Sequence, residues 1–160
     1  MDLTDAIIDY RRFLKRKNYS AHTVKNTINR LKHFVVWLPV PLEQASYEQV
    51  KRYIEMLMNK RRAPVTINCH LASIRGFFDY LYDEGQLRIA NPVKKGCGVR
   101  VSHPLPRYLK DEQLDKLFTL IRRPRDRAMF MLMLRCGLRV EEVARLTIDA
   151  VDLRHHRIRV

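Results

Sequence analysis

The stretch RCGLRVEEVARL, residues 135–146, decides how this chain is read. It follows the run AMFMLML (128–134), which reads as a buried helix. Gly137 can take the left-handed backbone conformation that closes one helix and redirects the chain. Arg139 then falls at the start of a new short helix, with Val140, Val143, Ala144 and Leu146 expected inward. Free N–H groups and the helix dipole favour anions there, and the planar guanidinium can grip two phosphate oxygens at once. Glu142, three residues on, shares the face of Arg139 and can hold the guanidinium or orient another group. The pair reads as a phosphate clamp with a carboxylate brace, a part suited to phosphoryl transfer. A helix-turn-helix whose arginine is only salt-bridged at the surface fits the same letters.

The whole chain supports a polyanionic partner. It has 160 residues with 31 Lys and Arg against 17 Asp and Glu, a formal net charge of +14. A field of that sign favours DNA, RNA or an acidic membrane. Hydrophobic residues make up 46%, enough for a core and too many for a disordered tail. Cys69, Cys97 and Cys136 are odd in number and form no CxxC pair, which argues against a disulfide framework or a zinc site and for a reduced, cytoplasmic chain. No apolar run is long enough to span a membrane, and MDLTDAIIDY does not read as a signal peptide.

Working toward the N-terminus, the periodicity is helical. Leu3, Ile7, Tyr10 and Leu14 make one stripe; Val24, Ile28, Leu31, Val35 and Leu38 make a second, opened by Ser20 as N-cap and stopped by Pro39 and Pro41. SYEQ (46–49) is a capping-box pattern before Val50, Tyr53, Ile54 and Leu57. Pro64 suits the first position of a fourth helix, whose buried stripe is Ile67, Leu71, Ile74, Phe78 and Leu81 and whose end fits Gly85. Four helices in residues 1–90 predict a bundle, with Trp37 packed into it.

Residues 91–108 change character. NPVKKGCGVRVSHPLPRYLK (91–110) holds three prolines, two glycines, five Lys or Arg and no acid, which predicts an extended basic linker. It is either a plain surface loop or a strap along a phosphate backbone. A second domain is expected over 109–160. KDEQLDKLFTLI (110–121) should turn Leu114, Leu117, Phe118 and Ile121 inward, and residues 125–135 should be the domain's central helix, with Met129, Met131 and Met133 in its core. RIRV (157–160) reads as a strand just starting, which is marginal without partners, so the chain is expected to be cut short.

Several motifs carry a resemblance. YSAHTVKNTINRLKHFVVWL (19–38), APVTINCHLASIRGFFDYL (63–81) and the closing Asn91-Pro92 resemble the helical, SAM-like core-binding domain of the tyrosine recombinases, the phage integrase family. LPRYLKDEQLDKLF (105–118) and RDRAMFMLMLRCGLRVEEVARLTIDAVDL (125–153) resemble the opening of that family's catalytic domain, with Cys136 where a threonine is usual. The resemblance implies a mainly α fold: a four-helix core-binding bundle, the basic linker and the truncated helical start of a mixed α+β catalytic domain. It implies that Arg139 is the first of two catalytic arginines and Glu142 its acidic companion. The family cuts DNA by attack of a tyrosine on a phosphodiester, leaving a 3′-phosphotyrosyl link, with no metal or other cofactor. The hairpin lysine, the His-x-x-Arg box and the nucleophile are not found. The last tyrosine is Tyr108, and HRIR (156–159) matches His-x-x-Arg only by letter. This chain is therefore expected not to cleave DNA.

The partner implied is double-stranded DNA, gripped as a monomer in solution and as a tetramer in the assembled recombinase, in the cytoplasm with the nucleoid. The resemblance places the second and fourth helices at the major groove. Candidate contacts are Lys25, Asn29 and Lys32 on the second, and Thr66, His70, Ser73 and Arg75 on the fourth. Lys94, Lys95, Arg100 and Arg107 in the linker are candidates for the phosphate backbone. The alternatives are a non-catalytic DNA-binding regulator, a naturally truncated recombinase relative, a type IB topoisomerase relative and an RNA-binding helical protein.

Overall fold

A computed structural model describes residues 3–102, 105 and 108–160. The chain divides into two compact units, Met1–His103 and Pro104–Val160.

The first unit is a helical bundle. Helix α1 is Leu3–Arg16, α2 is Ala21–Trp37, α3 is Tyr47–Asn59 and α4 is Pro64–Asp83, with a 3₁₀ turn at Leu42–Gln44. Local chemistry sets the starts. Ser20 Oγ accepts the Thr23 amide at 3.1 Å, the Ser46 amide donates to Gln49 Oε1 at 3.0 Å, and Pro64 occupies the first turn of α4. Helix α4 packs against α1, α2 and α3. Its Ile74, Phe77, Phe78 and Leu81 are fully enclosed, and each large apolar side chain so buried stabilises the bundle by about 1.5–3 kcal/mol. Trp37 packs against this core, as expected. Gly76 permits the approach of α1: a Cβ there would lie 2.8 Å from Tyr10 Oη. Burial pushes the Tyr10 hydroxyl up to about 12, helped by Tyr19 and Asp79.

The linker expectation fails over residues 91–99. This stretch folds back on α4 and belongs to the first unit, with Val93 buried beside the core. The reason is that its backbone groups find side-chain partners. Asn91 Nδ2 donates to Arg75 O (2.9 Å) and Asp79 Oδ1 (2.6 Å), while Asn91 Oδ1 accepts the Val93 amide. Arg75 donates to Val93 O (3.3 Å) and Lys94 O (3.0 Å). Asn68 both donates to Val99 O and accepts from Val99 N, each at 2.8 Å.

The second unit contains α5 (Asp111–Leu120), α6 (Pro124–Cys136), α7 (Val140–Arg145), a 3₁₀ turn at Ile148–Ala150 and a small antiparallel pair. Strand β1 (Val151–Asp152) pairs with β2 (Arg157–Ile158), Val151 opposite Ile158. The strand expected to stand alone is thus half of a hairpin. Asp152 closes its turn by accepting the Arg154 and His155 amides at 3.0 and 3.1 Å. Leu114, Leu117, Phe118 and Ile121 are half-buried, but α6 is not a buried central helix. Met129 and Met133 are half-buried, whereas Phe130, Met131 and Leu134 are exposed. Val140, expected inward, is also exposed, and Val143 is the one hydrophobic residue fully buried among the described residues of this unit. Helix α6 is apolar, as its sequence implies, but within this unit its neighbours do not enclose it.

Candidate phosphate and nucleic-acid interface

Gly137 ends α6 with φ 67°, and Arg139 follows as the N-cap of α7 in extended backbone (φ −74°, ψ 155°). Glu142 answers it twice. Its Oε2 accepts the Arg139 backbone amide at 2.7 Å and its Oε1 accepts Arg139 Nη1 at 2.9 Å. The Arg139 backbone N–H, then its guanidinium, hold the Glu142 carboxyl below the usual range. The guanidinium is therefore oriented from one edge, while its side chain stays 85% exposed. The Nε and Nη2 donors make no bond among the described residues, so they can meet an anion. Arg145 and Glu141 pair on the same short helix at 3.8 Å.

The expected DNA contacts divide into three groups. Lys25, Asn29 and Lys32 are exposed along α2, and Lys94, Lys95 and Arg100 are exposed on the folded-back strap. Lys94 Nζ lies 4.8 Å from the centre of the Tyr47 ring. Thr66 and Arg75 are half-buried on α4, and Arg75 is engaged in holding the strap. His70 and Ser73 require correction: both are buried, not available on the surface. Ser73 Oγ donates to Cys69 O at 2.9 Å within its own helix. His70 Nδ1 meets Tyr53 Oη at 2.8 Å, and the same hydroxyl meets His33 Nδ1 at 2.7 Å, linking α2, α3 and α4. Desolvation, with His33, Arg30 and Arg62 nearby, lowers His70 to about 4, so it stays neutral at physiological pH. Burial raises the Tyr53 hydroxyl well above its ordinary value. Arg107 lies outside the described residues.

Sequence reasoning missed Asn68, whose amide clamps the strap. The two segments approach closely at Gly98, where a Cβ would come 3.2 Å from Asn68 Oδ1, a proximity visible only in the fold. The letter match HRIR lies in the β1–β2 hairpin, where His155 Nδ1 pairs with Asp152 Oδ2 at 2.8 Å. Among the described residues no cluster of His, Cys, Asp or Glu is placed to hold a metal ion, and no helix is long and apolar enough to cross a membrane.

Comparison with known proteins joins the two units. The profile described as phage integrase, N-terminal SAM-like domain, matches residues 7–85, and that of the phage integrase family matches 107–160. Tyrosine recombinase XerC of Thermodesulfovibrio yellowstonii is 29% identical over 153 residues, covering 91% of this chain and 50% of that protein. XerC of Bacillus subtilis is 29% identical over 146 residues, covering 86% and 48%. The chain thus spans about half the length of these curated relatives. Among solved structures, a lambda integrase (75-356) dimer bound to a COC′ core site aligns with a TM-score of 0.79 at 16% identity, covering 96% of this chain and 56% of that one. The Tn1549 transposon integrase in complex with circular intermediate DNA aligns at 0.63 and 18% identity, covering 92% and 51%. At those identities the likeness establishes the fold.

Proposed function

This chain belongs to the phage integrase family of tyrosine recombinases, and we propose that it supplies the DNA-gripping bundle and the first catalytic arginine of a site-specific recombinase. The reaction is breakage and rejoining of duplex DNA through a 3′-phosphotyrosyl intermediate. The observation that carries this reading is the Arg139–Glu142 pair, two-point braced and open on its outer edge, inside the segment that matches the family.

In the reaction a tyrosine hydroxyl oxygen forms a bond to the scissile phosphorus as the bond to the 5′ oxygen breaks. Negative charge gathers on the non-bridging oxygens. The free Nε and Nη2 donors of Arg139 would meet that charge, and Glu142 would keep the guanidinium from swinging away. Tyr108, the last tyrosine in the sequence, stands before Arg139 at the entrance of the second unit, whereas the family resemblance implies a nucleophile that follows Arg139. The part of this segment in that reaction is to bind duplex DNA and to present Arg139 to the scissile phosphate. The chain acts as a monomer in solution, tetramers being a property of the assembled recombinase on DNA, and it works with the nucleoid in the cytoplasm.

Lys25, Asn29 and Lys32 on α2, Thr66 and Arg75 on α4, and Lys94, Lys95 and Arg100 on the strap are the contacts in this reading. The test is fluorescence anisotropy with a labelled duplex, competed by unlabelled duplex DNA or by single-stranded RNA of equal length. Duplex DNA should displace the probe at far lower concentration. RNA competing equally well would replace this reading with general polyanion or RNA binding.

A further inference from the structure

The groove between α1 and α2 is built from cations that the bundle leaves unneutralised. Arg11 and Lys15 stand one turn apart on α1; Lys25, Asn29 and Lys32 run along α2. They border a depression of about 470 Å³ with Val24 and Ile28 in its floor. Among the described residues no carboxylate lines it. Three cations elsewhere on the bundle are neutralised by carboxylates: Arg12 pairs with Asp9 at 2.9 Å, and Lys51 and Arg52 both pair with Glu48 at 3.6 Å. Among the described residues, Arg11, Lys15, Lys25 and Lys32 form no ion pair. Four like charges facing one groove repel one another, and an anion that enters removes that repulsion.

The spacing suits a nucleic-acid strand. Lys32 lies seven positions beyond Lys25, which at ~1.5 Å rise per residue is about 10 Å, near three ~3.4 Å steps of one strand measured along the duplex axis. Lysine ammonium groups act as point charges toward phosphate, and Asn29 can donate its amide N–H groups to a phosphate oxygen. Two facing walls of long basic side chains hold a backbone between them rather than presenting one helix to base edges.

We infer that the α1–α2 groove is a phosphate-backbone cradle, in which Arg11 and Lys15 of α1 join Lys25 and Lys32 of α2 to hold one strand of duplex DNA without reading its sequence. This rests on the DNA-binding reading above and extends it to α1.

The test compares the whole chain with its Arg11→Gln/Lys15→Gln variant on two duplexes of unrelated sequence, by anisotropy from 50 to 200 mM salt. A Lys51→Gln/Arg52→Gln variant removes the same charge from a paired site and serves as control. Arg11 and Lys15 are exposed, so the variant should keep the wild-type circular dichroism and melting curve. The groove variant should bind both duplexes about tenfold more weakly at low salt, and its log–log salt slope should shallow by about 2. The control should change affinity less than about threefold, the scale of a long-range charge effect. A groove variant no weaker than the control, or a loss confined to one sequence, overturns the cradle while leaving DNA binding intact. Absence of duplex binding by the unaltered chain overturns both.

Discussion

Acidification should destabilise the bundle through one histidine. His70 is buried between α3 and α4, bonded to the Tyr53 hydroxyl, and holds a proton only near pH 4 in the folded state. Unfolded, it protonates near the ordinary 6.5. The unfolded state therefore binds more protons between these values, and stability must fall as pH drops through that window. Stability from this group is complete above about pH 7, and linkage gives a loss of about 2 kcal/mol by pH 5 and about 3 kcal/mol by pH 4. The lone tryptophan, Trp37, packs 5.0 Å from the Tyr53 ring and reports on this region. Urea unfolding followed by its fluorescence at pH 7.5 and pH 5 measures the loss. A His70→Asn variant places an amide where Nδ1 sits and cannot titrate. It should be less stable than the wild type at pH 7.5 but should lose about 2 kcal/mol less on acidification. Equal pH sensitivity in the two proteins would refute the assignment of the titration to His70.

Three further outcomes follow from local geometry. Asn68→Ala removes both bonds to Val99 and should release the strap, weakening duplex binding and exposing residues near Val99 to proteolysis, while the bundle loses no more than about 1–2 kcal/mol; unchanged proteolysis would show that the clamp does not hold the strap. Glu142 should titrate below an ordinary glutamate by carboxyl NMR, and Arg139→Ala should undo only part of that shift because the backbone N–H is the larger cause; complete reversal would contradict the order of causes. Gly137→Ala meets no steric neighbour but must adopt φ 67°, so thermal melting should show the second unit destabilised by about 1 kcal/mol, and no change would mean that α6 does not end in this conformation.

The features legible in the sequence were those fixed within a few residues. Ser20, the Ser46–Gln49 pair, Pro64 and Gly137 act on their own helix ends, so a short window contains the whole cause. The Arg139–Glu142 brace spans three residues and was legible for the same reason. What escaped was non-local. Asn68 and Val99 are 31 residues apart, and nothing in GCGV announces that an amide on α4 will pair with it. His70 and Ser73 are polar letters at the edge of an apolar stripe. Their burial depends on a tyrosine from another helix and on a carbonyl one turn back. The apolar run of α6 declared its hydrophobicity but could not declare its cover: burial is a property of neighbours, and α5 and α7 leave Phe130, Met131 and Leu134 exposed.

The most direct measurement is the salt dependence of duplex binding by the unaltered chain. Lys25 and Lys32 on α2 with Lys94, Lys95 and Arg100 on the strap would neutralise about five phosphates, and Arg11 and Lys15 of the α1–α2 groove bring this to about seven, which gives a log–log slope of about −4 to −6 and a loss of several hundred- to several thousand-fold between ~50 and ~200 mM salt. That steep, linear fall is the expected result. An affinity that stays within about threefold over the same range would contradict a phosphate-gripping interface, because counterion release could not then be the source of binding.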